Sequence, residues 1–232
     1  MPRRRPRLEL PGVPMHVTQR GVNRGAVFVD DEDRTHYMSL LAETAATGAL
    51  VIHAYVLMSN PVHLLVSSGE LGSISSGLRW LGQCYVQAFN RRHRRSGPLW
   101  EGRFKSCLVD SDAYLLAVYR YIELNPVRAA MVDAPNRYRW SSVHGNLGSL
   151  VDPLLTPHDC FMALERDNRA RGDAYRDWLQ EAISDEELAA IRQHLAQERA
   201  LGSPRFQQMV EKTLGRPVSL RARGRPARLS PA

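Results

Sequence analysis

The order of elements along this chain predicts an α+β fold, an antiparallel sheet with helices packed on one face, of which a ferredoxin-like sheet is one form, followed by a C-terminal helical extension. Three observations point there. β-forming and helix-periodic runs follow one another as strand, helix, strand, strand, helix, strand, helix. The second and third strands are separated by Ser59-Asn60-Pro61, which is turn chemistry and implies a hairpin. Beyond about Gly145 the pattern changes to a loop and then helices.

Each element has a local reason. Met15 to Arg20 alternates like a strand and ends at Gly21. Asp30 to Asp33 supplies acids for a helix N-terminus, and Tyr37, Leu40, Leu41 and Ala45 then recur at helical spacing until Gly48 stops the helix. Leu50 to Met58 and Val62 to Ser67 form the hairpin strands. Ile74, Leu78, Leu81, Tyr85 and Ala88 mark one face of a long helix that runs into a basic cluster, and Ser96-Gly97-Pro98 breaks it. Trp100 to Val109 reads as a fourth strand, and the helical connection before it leaves room for a parallel pairing. Asp110 or Ser111 is placed to cap the next helix, which carries Tyr114, Val118, Tyr121 and Asn125 along one side and meets Pro126 where a helix should end or turn. Ser184 with Glu187 makes a capping box for a helix through Gln197, and Ser203 to Leu214 forms another, stopped by Gly215. The expected division is a sheet domain over 1–147, a helical region over 148–215 and a basic, disordered tail over 216–232.

Composition narrows the function classes. With 44% hydrophobic and 24% charged residues among 232, the chain has the make-up of a soluble globular protein. No apolar run reaches the length of a membrane span, and nothing after the N-terminal Arg3-Arg4-Arg5 resembles a signal peptide, so a cytoplasmic, nucleoid-associated protein with no membrane partner is expected. Cys84, Cys107 and Cys160 form no CxxC pair, which argues for reduced thiols rather than a zinc knuckle or disulfide framework. The net charge of +7 is concentrated in arginine clusters: an N-terminal arm, then Arg91, Arg92, Arg94 and Arg95 followed by Arg103 and Lys105, then a C-terminal run including Arg223 and Arg225. Arginine suits bidentate phosphate contact, so nucleic acid is the favoured partner over solvated helix ends and tails. Arg223-Gly-Arg-Pro226 also resembles the core of an AT-hook, a short arm that reads a narrow minor groove.

Two places carry side chains suited to chemistry. On the second hairpin strand, His63 and Leu65 share one face, with Val62, Leu64 and Val66 on the other. On the helix that follows the fourth strand, Tyr121 and Asn125 lie one turn apart on one side and Tyr119 points roughly opposite. A helical aromatic is more often core than catalyst. A phenol beside an amide near basic residues, however, is what phosphoryl transfer to tyrosine needs, with cations or a metal ion to offset the phosphate charge.

Four blocks in this order carry a family resemblance: Leu10-Pro-Gly-Val-Pro-Met-His-Val-Thr-Gln-Arg-Gly, His53-Ala-Tyr-Val-Leu-Met-Ser-Asn-Pro-Val-His-Leu-Leu-Val, Leu99-Trp-Glu-Gly-Arg-Phe-Lys-Ser and Tyr121-Ile-Glu-Leu-Asn-Pro-Val-Arg-Ala-Ala-Met-Val. Over roughly residues 8 to 145 the chain resembles the REP-associated tyrosine transposases, which belong to the HUH single-tyrosine nucleases. The resemblance implies a metal-dependent enzyme that cuts and rejoins single-stranded DNA at hairpin sites such as repetitive extragenic palindromes. It makes Tyr121 the nucleophile, leaving a 5′-phosphotyrosine link, with His63 and Asn125 as ligands to Mg²⁺ or Mn²⁺. Arg91, Arg92, Arg94, Arg95, Arg103, Lys105, Arg223 and Arg225 are the expected DNA contacts. Relatives include monomers and homodimers. The chain departs from the pattern at Pro61, which stands where the first HUH histidine belongs and offers no ligand atom; His53, on the partner strand, is the candidate substitute.

Two alternatives stand beside this one. The first is a DNA-binding protein of the same fold that has lost cleavage through Pro61. The second is an RNA-binding module, which would need aromatics such as Tyr55 and Phe104 exposed on the sheet for base stacking.

Overall fold

In a computed structural model that describes residues 6–112 and 114–221, four strands form one sheet: β1 (Met15–Gln19), β2 (Val51–Leu57), β3 (Val62–Ser67) and β4 (Lys105–Leu108), in the order β2-β3-β1-β4. Between them run α1 (Asp31–Ala46) and α2 (Ser73–Arg92). This is the ferredoxin-like arrangement, and every pairing is antiparallel. β3 and β4 do run in the same direction, as a helical crossover favours, but β1 lies between them, so no parallel ladder forms.

The hairpin turn behaves as its residues predict. Asn60 accepts from the Gly21 amide at 3.3 Å and donates to the Gly25 carbonyl at 2.7 Å, fixing the turn against the end of β1. α1 begins at its acids: the Asp30 carboxylate caps the Asp33 amide at 3.1 Å. The fourth strand is shorter than its sequence suggests. Trp100 makes only an isolated bridge to Gly21, and the exposed Glu101-Gly102-Arg103 segment leaves the sheet before Lys105.

The sheet is covered on both faces rather than one. Val62, Leu64 and Val66 pack with Tyr37, Leu41 and Leu81 beneath α1 and α2. Ala54, Val56, Leu65 and Cys107 face the other way, against α3 (Leu115–Glu123) and the C-terminal helices. Tyr55 is buried with its hydroxyl 2.7 Å from Asp152, and Phe104 is buried under the Arg7 guanidinium, so neither is exposed on the sheet to stack RNA bases.

α3 is not capped by Asp110 or Ser111. It opens at Leu115; one oxygen of the Asp110 carboxylate accepts from the Asp112 amide at 3.3 Å, ahead of the helix, and the other accepts from the Ser203 amide at 2.9 Å and hydroxyl at 2.8 Å. The helix ends at Glu123, and Pro126 lies in the first turn of the short α4 (Asn125–Arg128). The chain continues through α5 (Val143–Asn146), α6 (Asp159–Met162), α7 (Asn168–Gln180), α8 (Asp185–Gln197) and α9 (Pro204–Leu214). The Ser184–Glu187 capping box forms in full, and Ser203 caps α9. The helical region shares the core of the sheet domain: Phe161, Tyr175, Ile191 and Leu195 pack in one cluster with Val118, Tyr119 and Ile122. Among the described residues no helix is long and apolar enough to cross a membrane.

Candidate active site

Sheet register assembles the site. Thr18 on β1 lies opposite His63 on β3 and Lys105 on β4, so these three form a row across three strands. His16, two residues back, lies on the same face of β1. It reaches diagonally, and its Nε2 is 3.0 Å from His63 Nδ1. Tyr121 stands edge-on to both rings, with centroids 5.5 Å from His16 and 5.9 Å from His63.

α3 is held in place by its opposite side. Tyr119 stacks on Phe161. Glu123 is fully buried and accepts from Ser142 and Asn146 at 2.6 Å and from Tyr175 at 2.9 Å. These contacts anchor the helix and leave Tyr121 and Asn125 turned to the sheet. Together with Thr18, Pro61 and His63 they line a groove of about 640 Å³. Arg128 closes over the phenol: its guanidinium carbon is 4.4 Å from the Tyr121 ring centroid, and it donates to the Tyr121 carbonyl.

The groove is cationic. Among the described residues, Arg20, Arg103, Lys105 and Arg192 line it, with Glu101 the one acid. Burial, then the charges of Arg128 and Arg20, push the His63 imidazole down to about 3, and burial together with His63 and Arg128 holds His16 well below its usual range. Both rings are therefore neutral. If His63 donates from Nδ1 to His16 Nε2, the Nε2 lone pair of His63 is free for the groove. His16 Nδ1 and Asn125 Nδ2 are buried without partners. With its nitrogen buried, the Asn125 amide has its oxygen to offer the groove.

The site residues expected from the sequence do not all meet. Tyr121, His63, Asn125, Arg103 and Lys105 come together, with Pro61 beside them. Arg91, Arg92, Arg94 and Arg95 do not line the groove. Arg92 is bound to Asp30, Glu32 and Asp33 within 2.7 Å, and Arg95 donates to the Pro98 carbonyl at 3.1 Å. Arg223 and Arg225 lie outside the described residues. His53 does not replace the missing histidine. It is the extra residue of a β-bulge, and its nitrogens face the Thr156 carbonyl at 2.7 Å and the Ser67 hydroxyl at 2.8 Å.

His16, Arg128 and Arg192 were given no role from sequence. The alternation of β1 could have placed His16 and Thr18 on one face, but only the sheet order reveals which strand lies beside them.

Comparison with known proteins points to a class. The model of the IS200-like transposases matches residues 11–125, a span that contains the whole sheet, Tyr121 and Asn125. Over these residues the chain is similar to that family. A search of curated proteins by sequence found no match. Among solved structures, a REP-associated tyrosine transposase bound to a REP hairpin aligns with a TM-score of 0.55 at 17% identity, covering 69% of this chain and 93% of that one. At that identity the likeness is one of fold. A candidate transposase from Deinococcus radiodurans R1 aligns at 20% identity over 52% of this chain and 95% of its own, with a TM-score of 0.37, too slight to bear on the argument.

Proposed function

We propose that this protein is a transposase that cuts and rejoins single-stranded DNA beside hairpins through a 5′-phosphotyrosine intermediate on Tyr121. One observation carries the reading: a tyrosine set edge-on to a neutral histidine pair, beside an amide, in a groove lined by four cationic side chains. Arg20, Arg103, Lys105 and Arg192 are suited to hold the phosphates on either side of the scissile bond. The Tyr121 oxygen attacks phosphorus as the phenol loses its proton. The bond from phosphorus to the 3′ oxygen breaks, and that oxygen takes up a proton to leave a 3′-hydroxyl. One phosphodiester replaces another, so the reverse step can rejoin an end without an outside energy source. Arg128 fixes the ring from above and His16 fixes the orientation of His63.

The family's divalent ion is fitted in part. His63 Nε2 and the Asn125 amide oxygen would hold Mg²⁺ or Mn²⁺, with phosphate oxygens and water completing the shell. Such an ion would polarise the scissile phosphate. Among the described residues no three His, Cys, Asp or Glu side chains cluster as a metal site, so the protein's own share of the shell is small.

Pro61 supports a second reading, a hairpin-binding protein of the same fold in which cleavage is disabled. Purified protein is incubated with Mn²⁺ and labelled single-stranded hairpins from the DNA flanking its gene. A denaturation-resistant adduct in the native protein, absent in Tyr121→Phe, supports the nuclease. An adduct seen only in Pro61→His supports the second reading. Hairpin binding with no adduct in either form counts against Tyr121.

A further inference from the structure

On the opposite face of β1 a second cavity of about 830 Å³ lies between α2 and the segment 98–104. That volume is within the range of ligand pockets. Among the described residues that line it there is no carboxylate, and Arg7, Arg79 and Arg103 are present. Its polar groups are unusual for a packing defect. Trp100 Nε1 is buried with no partner, an N–H that costs free energy until something accepts it. Gln19 Nε2 and Trp100 Nε1 each lie 3.6 Å from where a side chain on Gly82 would begin, so a side chain longer than a methyl there would press against both. Gln83 and Gln87 add amides that both donate and accept, while Leu78 and Val86 supply apolar walls.

A nucleobase matches this lining: flat apolar faces, an edge mixing donors with acceptors, and flanking phosphates for the arginines. Position favours the same DNA strand as ligand. Thr18 lines the Tyr121 groove and Gln19, the next residue, lines this cavity, while Arg103 lines both. The two sites therefore meet at the β4 edge of the sheet.

We propose that this second cavity holds an unpaired base of the single-stranded DNA whose phosphate lies in the Tyr121 groove, with Arg103 bridging the two. The proposal rests on the nuclease reading for the identity of the strand. The base is recognised through the Trp100 N–H and the glutamine amides.

The test uses the full-length protein and fluorescein-labelled mixed-sequence single-stranded DNA 20-mers. Gly82→Met fills the cavity and Trp100→Phe removes the unpaired N–H; melting curves select folded variants. Each is expected to weaken binding about tenfold, the scale of one lost base contact. Independently, 20-mers containing 4-thiothymidine should photo-cross-link to Trp100, Phe104 or Gln83 in the native protein. Unchanged affinity in both variants, with cross-links confined to the Tyr121 groove, overturns the proposal even if Tyr121 adducts form. Cross-links at Trp100 without any Tyr121 adduct uphold the cavity as a DNA site and defeat the nuclease reading. Failure to bind the DNA, or tighter binding of the matching RNA 20-mer, overturns it.

Discussion

His16 and His63, on neighbouring strands of the sheet, are joined ring to ring, Nε2 to Nδ1 at 3.0 Å, with the edge of Tyr121 against both. The contact fixes the His63 ring and selects which of its nitrogens reaches the groove. Loss of a partner that orients a metal-binding histidine typically costs about 10–100-fold in metal affinity or activity. His16→Ala should therefore raise the Mn²⁺ concentration needed for half-maximal adduct by about 10–100-fold. His16→Gln, whose amide oxygen can accept from His63, should recover part of the loss. If His16 is merely core, both variants will lower the melting temperature and leave the Mn²⁺ midpoint unchanged.

Arg128 lies over the Tyr121 ring and donates to the carbonyl of the same residue. Its burial lowers its pKa to about 10, so it remains charged at neutral pH. Arg128→Lys keeps a cation but loses the planar fork. The adduct-forming rate at saturating DNA should fall about tenfold or more in this variant, in keeping with the cost of losing a positioning contact. DNA affinity should change little. A rate equal to that of the native protein would exclude Arg128 from holding the phenol.

The basic residues divide by environment. Lys105 lines the groove, whereas Arg92 is committed to three carboxylates. Lys105→Ala should reduce the slope of log affinity for single-stranded DNA against log salt by about 0.7, the effect of one lost phosphate contact. Arg92→Ala should leave the slope intact and act on the melting temperature instead. Binding titrations between low and moderate salt measure both.

Glu123 is the buried anchor behind Tyr121. Burial raises its pKa to about 7 despite three hydrogen-bond donors. Because the folded state keeps this proton where the unfolded chain releases it, stability falls as pH rises from about 4.5 to about 7 and then levels off. The group's cost at pH 8 is on the order of 3 kcal/mol. Glu123→Gln should match the native protein near pH 4.5 and exceed it at pH 8, as measured by urea unfolding at the two pH values. A constant difference between the two proteins at both values would refute the shift.

The fold was largely legible because its signals are local. The hairpin turn, the Ser184–Glu187 box and the Gly215 stop are set by a few adjacent residues, and each forms as its chemistry predicts. Two expectations failed where a distant residue competed for a group. Asp110 has the composition of a cap but binds Ser203, 93 positions away. Arg92 belongs to a basic cluster in sequence but meets the N-terminal acids of α1. In the site, Tyr121 and Asn125 could be paired by helical spacing and His63 singled out by its strand. His16 required knowledge that β1 inserts between β3 and β4, and Arg192 that α8 folds back over the groove.

The central claim is that Tyr121 becomes joined to DNA, and mapping the joined residue tests it most directly. The adduct formed with Mn²⁺ and a labelled single-stranded hairpin is digested with protease and nuclease, and the modified peptide is sequenced by mass spectrometry. The account predicts one nucleotide remnant, attached through its 5′-phosphate to Tyr121. Attachment at another residue, or through a 3′-phosphate, would contradict it.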